Sequence, residues 1–171
     1  MPDTLSSKRR SWVMSRVGRK NTPPEIRVRK AAHSLGLRFR LHRRDLPGNP
    51  DIVFPRHHVA LFVHGCFWHR HRECDRARMP KSNVQYWRAK FRRNVARDQQ
   101  AVADLASMGW TALTIWECQT HDARELVLLL ERLFVREAKI KLRRLPTRAI
   151  NSEGIRRLRR RPPIEFREPA P

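Results

Sequence analysis

The chain has 171 residues, a formal net charge of +22 and a pI of about 11.7. That length fits one domain with a tail and can bury a core without disulfides, and the charge points to a polyanionic partner while leaving DNA and RNA undistinguished. Three cysteines speak against a disulfide framework and leave metal binding open. No apolar run reaches membrane-span length and no secretory stretch opens the chain, so a protein of the bacterial cytosol or nucleoid is expected, with no membrane partner.

Residues 1–21 are polar and basic and read as an arm. Thr22-Pro23-Pro24-Glu25 starts a helix, with an N-cap, prolines in the first turn and Glu three residues after the cap. Ile26, Ala31, Ala32 and Leu35 are its expected inward face, and Gly36 its stop. A short strand is expected over Arg38 to Leu41, then a tight turn at Leu46-Pro47-Gly48-Asn49-Pro50. Asp51 to Phe54 and Val59 to Val63 read as two strands of a hairpin. Residues 64–82 have no period and mix His, Cys, Arg and aromatics. A long helix follows, with Ser82 as expected cap and Val84, Trp87, Phe91, Val95, Val102 and Leu105 at helical spacing up to Gly109. Trp110 to Trp116 alternates like a strand, and Asp122 caps a last helix buried through Leu126, Leu129, Leu130, Leu133 and Phe134. Beyond about residue 138 the pattern dissolves into Arg, Pro and polar residues, read as a basic, largely disordered tail. The expected domains are an arm over 1–21, a catalytic or binding domain over 22–137 and a tail over 138–171. The expected class is α/β, a small mixed sheet flanked by helices.

Cys66, His69, His71 and Cys74 crowd one loop, and Cys118 follows a predicted strand. Cys66, His71, Cys74 and Cys118 would offer zinc three thiolates and one imidazole, and one ion would tie the loop to the sheet. The competing reading is three unrelated cysteines, with Cys118 a small buried residue. Spacing alone leaves open whether His69 or His71 is the ligand.

Asp51 begins a strand after a Pro-bounded turn, where a carboxylate can hold Mg²⁺; a turn-capping Asp is the plainer alternative. In metal-dependent nucleases the paired strand commonly carries an acid, a spacer and a Lys. Here Phe62-Val63-His64 stands in that place. His69 is the expected proton acceptor, since an imidazole can take a proton from water near pH 7. Its competing roles are zinc ligand and phosphate donor. Glu25 completes a capping box and could also reach a metal site from the helix end; the cap is the favoured reading.

Taken together, Pro50-Asp51, Phe62-Val63-His64-Gly65-Cys66-Phe67-Trp68-His69, Tyr86-Trp87, Gly109-Trp110 and Trp116-Glu117-Cys118 resemble the very short patch repair endonucleases. Met14-Ser15-Arg16 through Pro24-Glu25 resemble them as well, and the resemblance covers roughly residues 9–136. It implies a restriction-endonuclease-like fold with a structural zinc site. It implies double-stranded DNA with a T·G mismatch, left by deamination of 5-methylcytosine, as substrate, and a nick 5′ to the mismatched T. Asp51 would hold Mg²⁺ together with the Val63 carbonyl, His69 would be the general base, and His64 and Glu25 would support them. Cys66, His71, Cys74 and Cys118 would hold zinc. Phe67, Trp68 and Trp87 would wedge into the base stack, where a mismatch lowers the cost of unstacking, and Met14 would clamp the DNA from the arm.

Two departures stand out. The zinc segment, Cys66-x4-His71-x2-Cys74, carries an extra residue near Glu73, and Val63 replaces a hydroxyl residue found in some relatives. A one-strand nick needs one active centre, so a monomer is expected, with repair proteins as further partners. The readings that compete are a restriction-like nuclease, a zinc-stabilised DNA-binding module without catalysis, and a basic RNA-binding protein.

Overall fold

In the computed structural model, residues 9, 20–72 and 74–144 are described, with side chains to 135. Two compact units divide the chain, residues 1–130 and 131–171. The sheet and the candidate site lie in the first.

Helix α1 spans Pro23–Ser34, and Thr22 enters it with extended backbone, φ −65° and ψ 154°. It closes with the Leu37 N–H on the Ala32 carbonyl at 3.0 Å and the Gly36 N–H on the His33 carbonyl at 2.9 Å, which satisfies carbonyls the helix end would leave orphaned. Its buried face is Glu25, Val28, Ala31 and Ala32, whereas Ile26 is exposed. The buried stripe therefore starts one residue earlier than expected, about 100° around the helix, because buried Glu25, an acid, occupies a position that periodicity assigns to polar surface.

The sheet has four strands in the order β1 (Arg40–Leu41), β2 (Ile52–Phe54), β3 (Val59–His64) and β4 (Thr111–Trp116). Strands β1 and β2 pair antiparallel, as do β2 and β3, with Ile52 opposite Leu61 and Val53 opposite Ala60. Strands β3 and β4 run parallel, with Val63 beside Ile115 and His64 beside Trp116. The mixed sheet and the hairpin agree with the sequence reading; β1 is shorter than Arg38 to Leu41.

Helix α2 (Val84–Ser107) is the long crossover between the parallel strands. Its cap is Asn83 in the left-handed region, φ 52°, rather than Ser82. At its other end Gly109 takes φ +76°, and the Trp110 N–H reaches the Leu105 carbonyl at 2.9 Å. Phe91, Ala101 and Leu105 are its buried residues, while Val102 is exposed. Leu46, Val53, Ala60, Phe62, Ala101 and Leu105 form one core cluster, with Trp110 and Ala112 against it. Ile52, Phe54, Leu61 and Ile115 alternate to the opposite face and are fully buried too, so both faces of the sheet are covered, as a strand running into a parallel pair requires.

One contact sets the approach to Asp51. Gly48 lies so close to α2 that a Cβ there would sit 2.7 Å from the Ala101 Cβ and 3.1 Å from the Phe62 ring. With φ +74° the position also needs glycine's freedom. The turn is thereby pressed onto α2 just before the strand that carries the acid.

Helix α3 (Ala123–Arg144) is capped by Asp122, whose Oδ1 accepts the N–H groups of Arg124 at 2.8 Å and Glu125 at 2.9 Å. Leu126 and Leu130 are buried. The helix runs on to Arg144, past the boundary expected at residue 137; residues 145–171, most of the basic tail, lie outside the described residues. No helix among the described residues is long and apolar enough to cross a membrane.

Candidate active centre and metal cluster

The hairpin brings Asp51 against the end of β3. Its Oδ2 accepts the Val63 N–H at 2.8 Å, which turns the carboxylate toward the residue whose carbonyl was expected beside it at a metal. Burial pushes the Asp51 carboxyl up to about 6, and nearby Glu25 adds to the rise against the opposing Val63 N–H. A buried carboxylate short of positive charge is suited to a hard divalent cation, whose oxygen preference Asp51 meets.

Glu25 closes the cap and also stands beside Asp51. It accepts from the Thr22 N–H at 3.3 Å and the Thr22 hydroxyl at 2.9 Å, so it caps α1. Its other oxygen accepts the Asn21 N–H at 3.0 Å and the Arg29 guanidinium at 2.7 Å. It is also grouped with Asp51 and His42, one ligand atom of each lying within 4.8 Å of the others. With both oxygens engaged, Glu25 is better placed to fix the charge around Asp51 than to act as a free metal ligand. Arg29 Nη2 lies 3.1 Å from His42 Nε2, and desolvation lowers the His42 imidazole against the pull of Glu25, with Arg29 and Lys20 adding to the fall.

Across the same cleft stands a second group. His64 ends β3, and His69 follows in the loop, its N–H on the Gly65 carbonyl at 3.2 Å. The two rings stack with centroids 3.8 Å apart and planes 13° from parallel. His69 Nδ1 lies 2.5 Å from Asp98 Oδ2 on α2. Desolvation opposes the Asp98 carboxylate, but the His69 hydrogen bond and the charges of His69, His64 and Arg97 outweigh it and hold its carboxyl below the usual range. Burial, with His69 beside it, pushes the His64 imidazole down to about 4, which keeps it neutral at physiological pH. Glu25, Asp51, Val63, His64, Trp68 and His69 all line one cleft of about 1510 Å³, larger than the roughly 300–1,000 Å³ of small-molecule pockets.

Cys66, His71, Cys74 and Cys118 come together, one ligand atom of each within 4.8 Å of the others. His71 Nδ1 is 3.6 Å from the Cys66 sulfur and 3.4 Å from that of Cys118, and its ring stacks on Trp116 at 4.3 Å. Burial pushes the Cys66 thiol up to about 12, with the adjacent Cys118 and Cys74 thiols adding to the rise against a backbone hydrogen bond at Cys118. Three soft donors and an imidazole crowded this closely match the donor set of a tetrahedral zinc site. Glu73, beside the extra residue, lies outside the described residues.

Phe67, Trp68 and Trp87 are half-buried; Trp68 lines the cleft, and Phe67 and Trp87 stand on buried Phe91. Phe67 meets Trp68 at 5.1 Å, Trp87 at 5.3 Å and Phe91 at 5.1 Å. Lys90 Nζ lies 5.0 Å from the Trp68 ring centroid and 5.5 Å from that of Trp87. Asn94 Nδ2 donates to the Trp68 carbonyl at 2.9 Å and pins the aromatic loop to α2. Met14, the expected clamp, lies outside the described residues.

Three participants were missed in the sequence: Asp98, His42 and Arg29. Asp98 had a signal, being the first acid after a long basic stretch that includes Lys90, Arg92, Arg93 and Arg97. His42 had none, since its approach to Glu25 depends on the left-handed backbone at φ 49° after β1.

Comparisons with known proteins bear on this geometry. The family profile described as DNA mismatch endonuclease Vsr matches residues 2–76. The chain is similar to the Type II nicking enzyme V.XorIIP of Xanthomonas oryzae pv. oryzae, with 52% identity over 122 residues, 71% of this chain and 89% of that protein. It is similar to the Type II nicking enzyme V.NmeAIP of Neisseria meningitidis, with 36% identity covering 81% of this chain and 98% of that one. The DNA mismatch endonuclease Vsr of Escherichia coli is 34% identical over 135 residues, 78% of this chain and 86% of that protein. With relatives this similar along most of their own length, the chain belongs to the Vsr family of DNA endonucleases.

Proposed function

We propose that this endonuclease nicks one strand of duplex DNA 5′ to the mismatched T of a T·G pair, opening very short patch repair. The observation that carries the reading is the meeting of Asp51, His64 and His69 in one cleft with Trp68, whose ring packs against Phe67 and Trp87. A half-buried aromatic group beside the chemistry is what a mismatch reader needs, because unstacking costs least at a mispaired base.

His69 is the proposed general base. Asp98 on Nδ1 favours the tautomer with its proton there and leaves Nε2 to accept one from water. The water oxygen then bonds to phosphorus as the ester bond to the leaving deoxyribose oxygen breaks. His64, neutral, offers one N–H without adding charge. Asp51 and the Val63 carbonyl would hold Mg²⁺, which when bound neutralises charge on the scissile phosphate. Glu25, fixed by Arg29 and Thr22, shapes the field around Asp51. Cys66, His71, Cys74 and Cys118 would hold zinc, tying the loop that carries His69 and Trp68 to the end of β4.

The test is a strand-resolved nicking assay with Mg²⁺ on paired duplexes that differ only in T·G against C·G. A nick confined to the T strand of the mismatched duplex is expected. Cleavage of both duplexes would replace the mismatch reading with a restriction-like one.

A further inference from the structure

The residues that the proposed reaction uses to orient and move a proton are also a donor set for a different ion. His64, His69 and Asp98 come from β3, the loop after it and α2, and one ligand atom of each lies within 4.8 Å of the others. None of the three belongs to the Glu25–His42–Asp51 group or to the cysteine cluster. We propose that His64, His69 and Asp98 form an inhibitory site for a borderline transition ion such as Zn²⁺ or Co²⁺.

Chemistry sets the ion. Two imidazoles and one carboxylate favour first-row divalent metals, whereas Mg²⁺ prefers oxygen alone. Geometry is close to what such an ion requires. An ion about 2.0–2.1 Å from each donor holds them about 3.3 Å apart in a tetrahedron. The 2.5 Å His69–Asp98 contact opens by less than an ångström, roughly, when a metal replaces the shared proton. The two imidazoles stack face to face at 3.8 Å, so His64 turns about its side-chain bonds to bring its in-plane lone pair to an ion held by His69 and Asp98. The side chains of His69 and Asp98 are 20% and 22% exposed, so the ion would be partly shielded yet reachable. The Asn94 bond to the Trp68 carbonyl and the His69 N–H on Gly65 hold the loop in place before any ion arrives.

The consequence for catalysis follows from the proton count. An ion on Nδ1 of His69 displaces the proton there, and the neutral ring then carries its proton on Nε2. That is the atom proposed to accept a proton from water, so nicking stops. The inhibition rests on the proposed base role of His69, but the binding does not.

The test is titration of the full-length, zinc-containing protein with Co²⁺, following bound metal and the visible spectrum, with nicking measured in parallel. One Co²⁺ beyond the resident zinc is expected, with d–d bands but no thiolate charge-transfer bands, and with nicking lost as it binds. Asp98→Ala and His64→Ala should each weaken Co²⁺ at least tenfold while zinc content and Tm hold. Asp51→Ala should keep Co²⁺ binding, and millimolar Mg²⁺ should not displace it. Absence of cobalt beyond the cysteine site, or equal affinity in both His64→Ala and Asp98→Ala, would overturn the site. Cobalt bound at full stoichiometry with nicking undiminished would overturn the inhibitory role and remove His69 as the base.

Discussion

Nδ1 of His69 lies 2.5 Å from Oδ2 of Asp98, a contact between a loop residue and a helix residue 29 positions away in the chain. It fixes which nitrogen of His69 faces the cleft. His69→Ala is expected to lower kcat by about 10²–10⁴-fold, the range for a positioned general base. Asp98→Asn should lower kcat with little change in KM, because the ring loses its preferred tautomer while the cleft keeps its shape. Single-turnover nicking with parallel zinc analysis checks both, and zinc content should hold in each variant.

Asp51→Asn is expected to abolish nicking while mismatch binding persists in a gel-shift assay. The same exchange should raise Tm of the metal-free protein above pH 6. The sign follows from the raised folded value of about 6 against 3.8 unfolded. The folded form holds the proton more tightly, so this group's stabilising contribution is present at low pH and is lost as pH rises through 6. Removing the buried charge recovers it, at roughly 2–4 °C per kcal/mol for a chain of this size. In the wild-type protein, nicking at subsaturating Mg²⁺ should fall as pH drops below 6, as protons compete for the carboxylate.

One tightly bound zinc per chain is expected by metal analysis. Cys118→Ser removes one of four donors that span the loop and the end of β4. Its zinc affinity should fall by more than the about 10–100-fold typical of losing an outer-shell partner, with a lower Tm. Bound zinc at one equivalent in that variant would remove Cys118 from the site.

Trp68→Ala should reduce discrimination between T·G and C·G duplexes rather than binding to both. Base–aromatic stacking is worth about 1–3 kcal/mol, which is roughly a 5- to 150-fold fall in the ratio of affinities. Competition binding with the two duplexes reads this directly.

Arg29→Ala should be more damaging than its place on a helix surface would imply. Glu25 and Arg29 have side chains only 4% and 14% exposed, at 2.7 Å, and removing one partner of a buried pair costs about 3–5 kcal/mol. Thermal or urea unfolding checks the cost. Arg29→Lys keeps the charge but not the fork that reaches both Asn21 and Glu25, and should recover only part of it.

Much of this protein is legible in its sequence. The hairpin carrying Asp51, the long helix from Val84 and the α3 cap at Asp122 are local: each is specified by turn residues, periodicity or a cap within a few positions of the chain. The loop of His64, Cys66, Phe67, Trp68, His69 and His71 is distinctive enough to mark the family. What tertiary structure alone decided was which donors meet. Parallel pairing of β3 with β4 carries Cys118 to His71, and the crossover by α2 lays Asp98 against His69 and Asn94 against Trp68. Spacing along a chain cannot tell His69 from His71, because both sit in one aperiodic loop and their partners lie on elements dozens of residues away. The same reason left Glu25's second reading undecided in the sequence: its cap is a contact of three residues, but its meeting with His42 and Asp51 depends on how the hairpin packs beside α1.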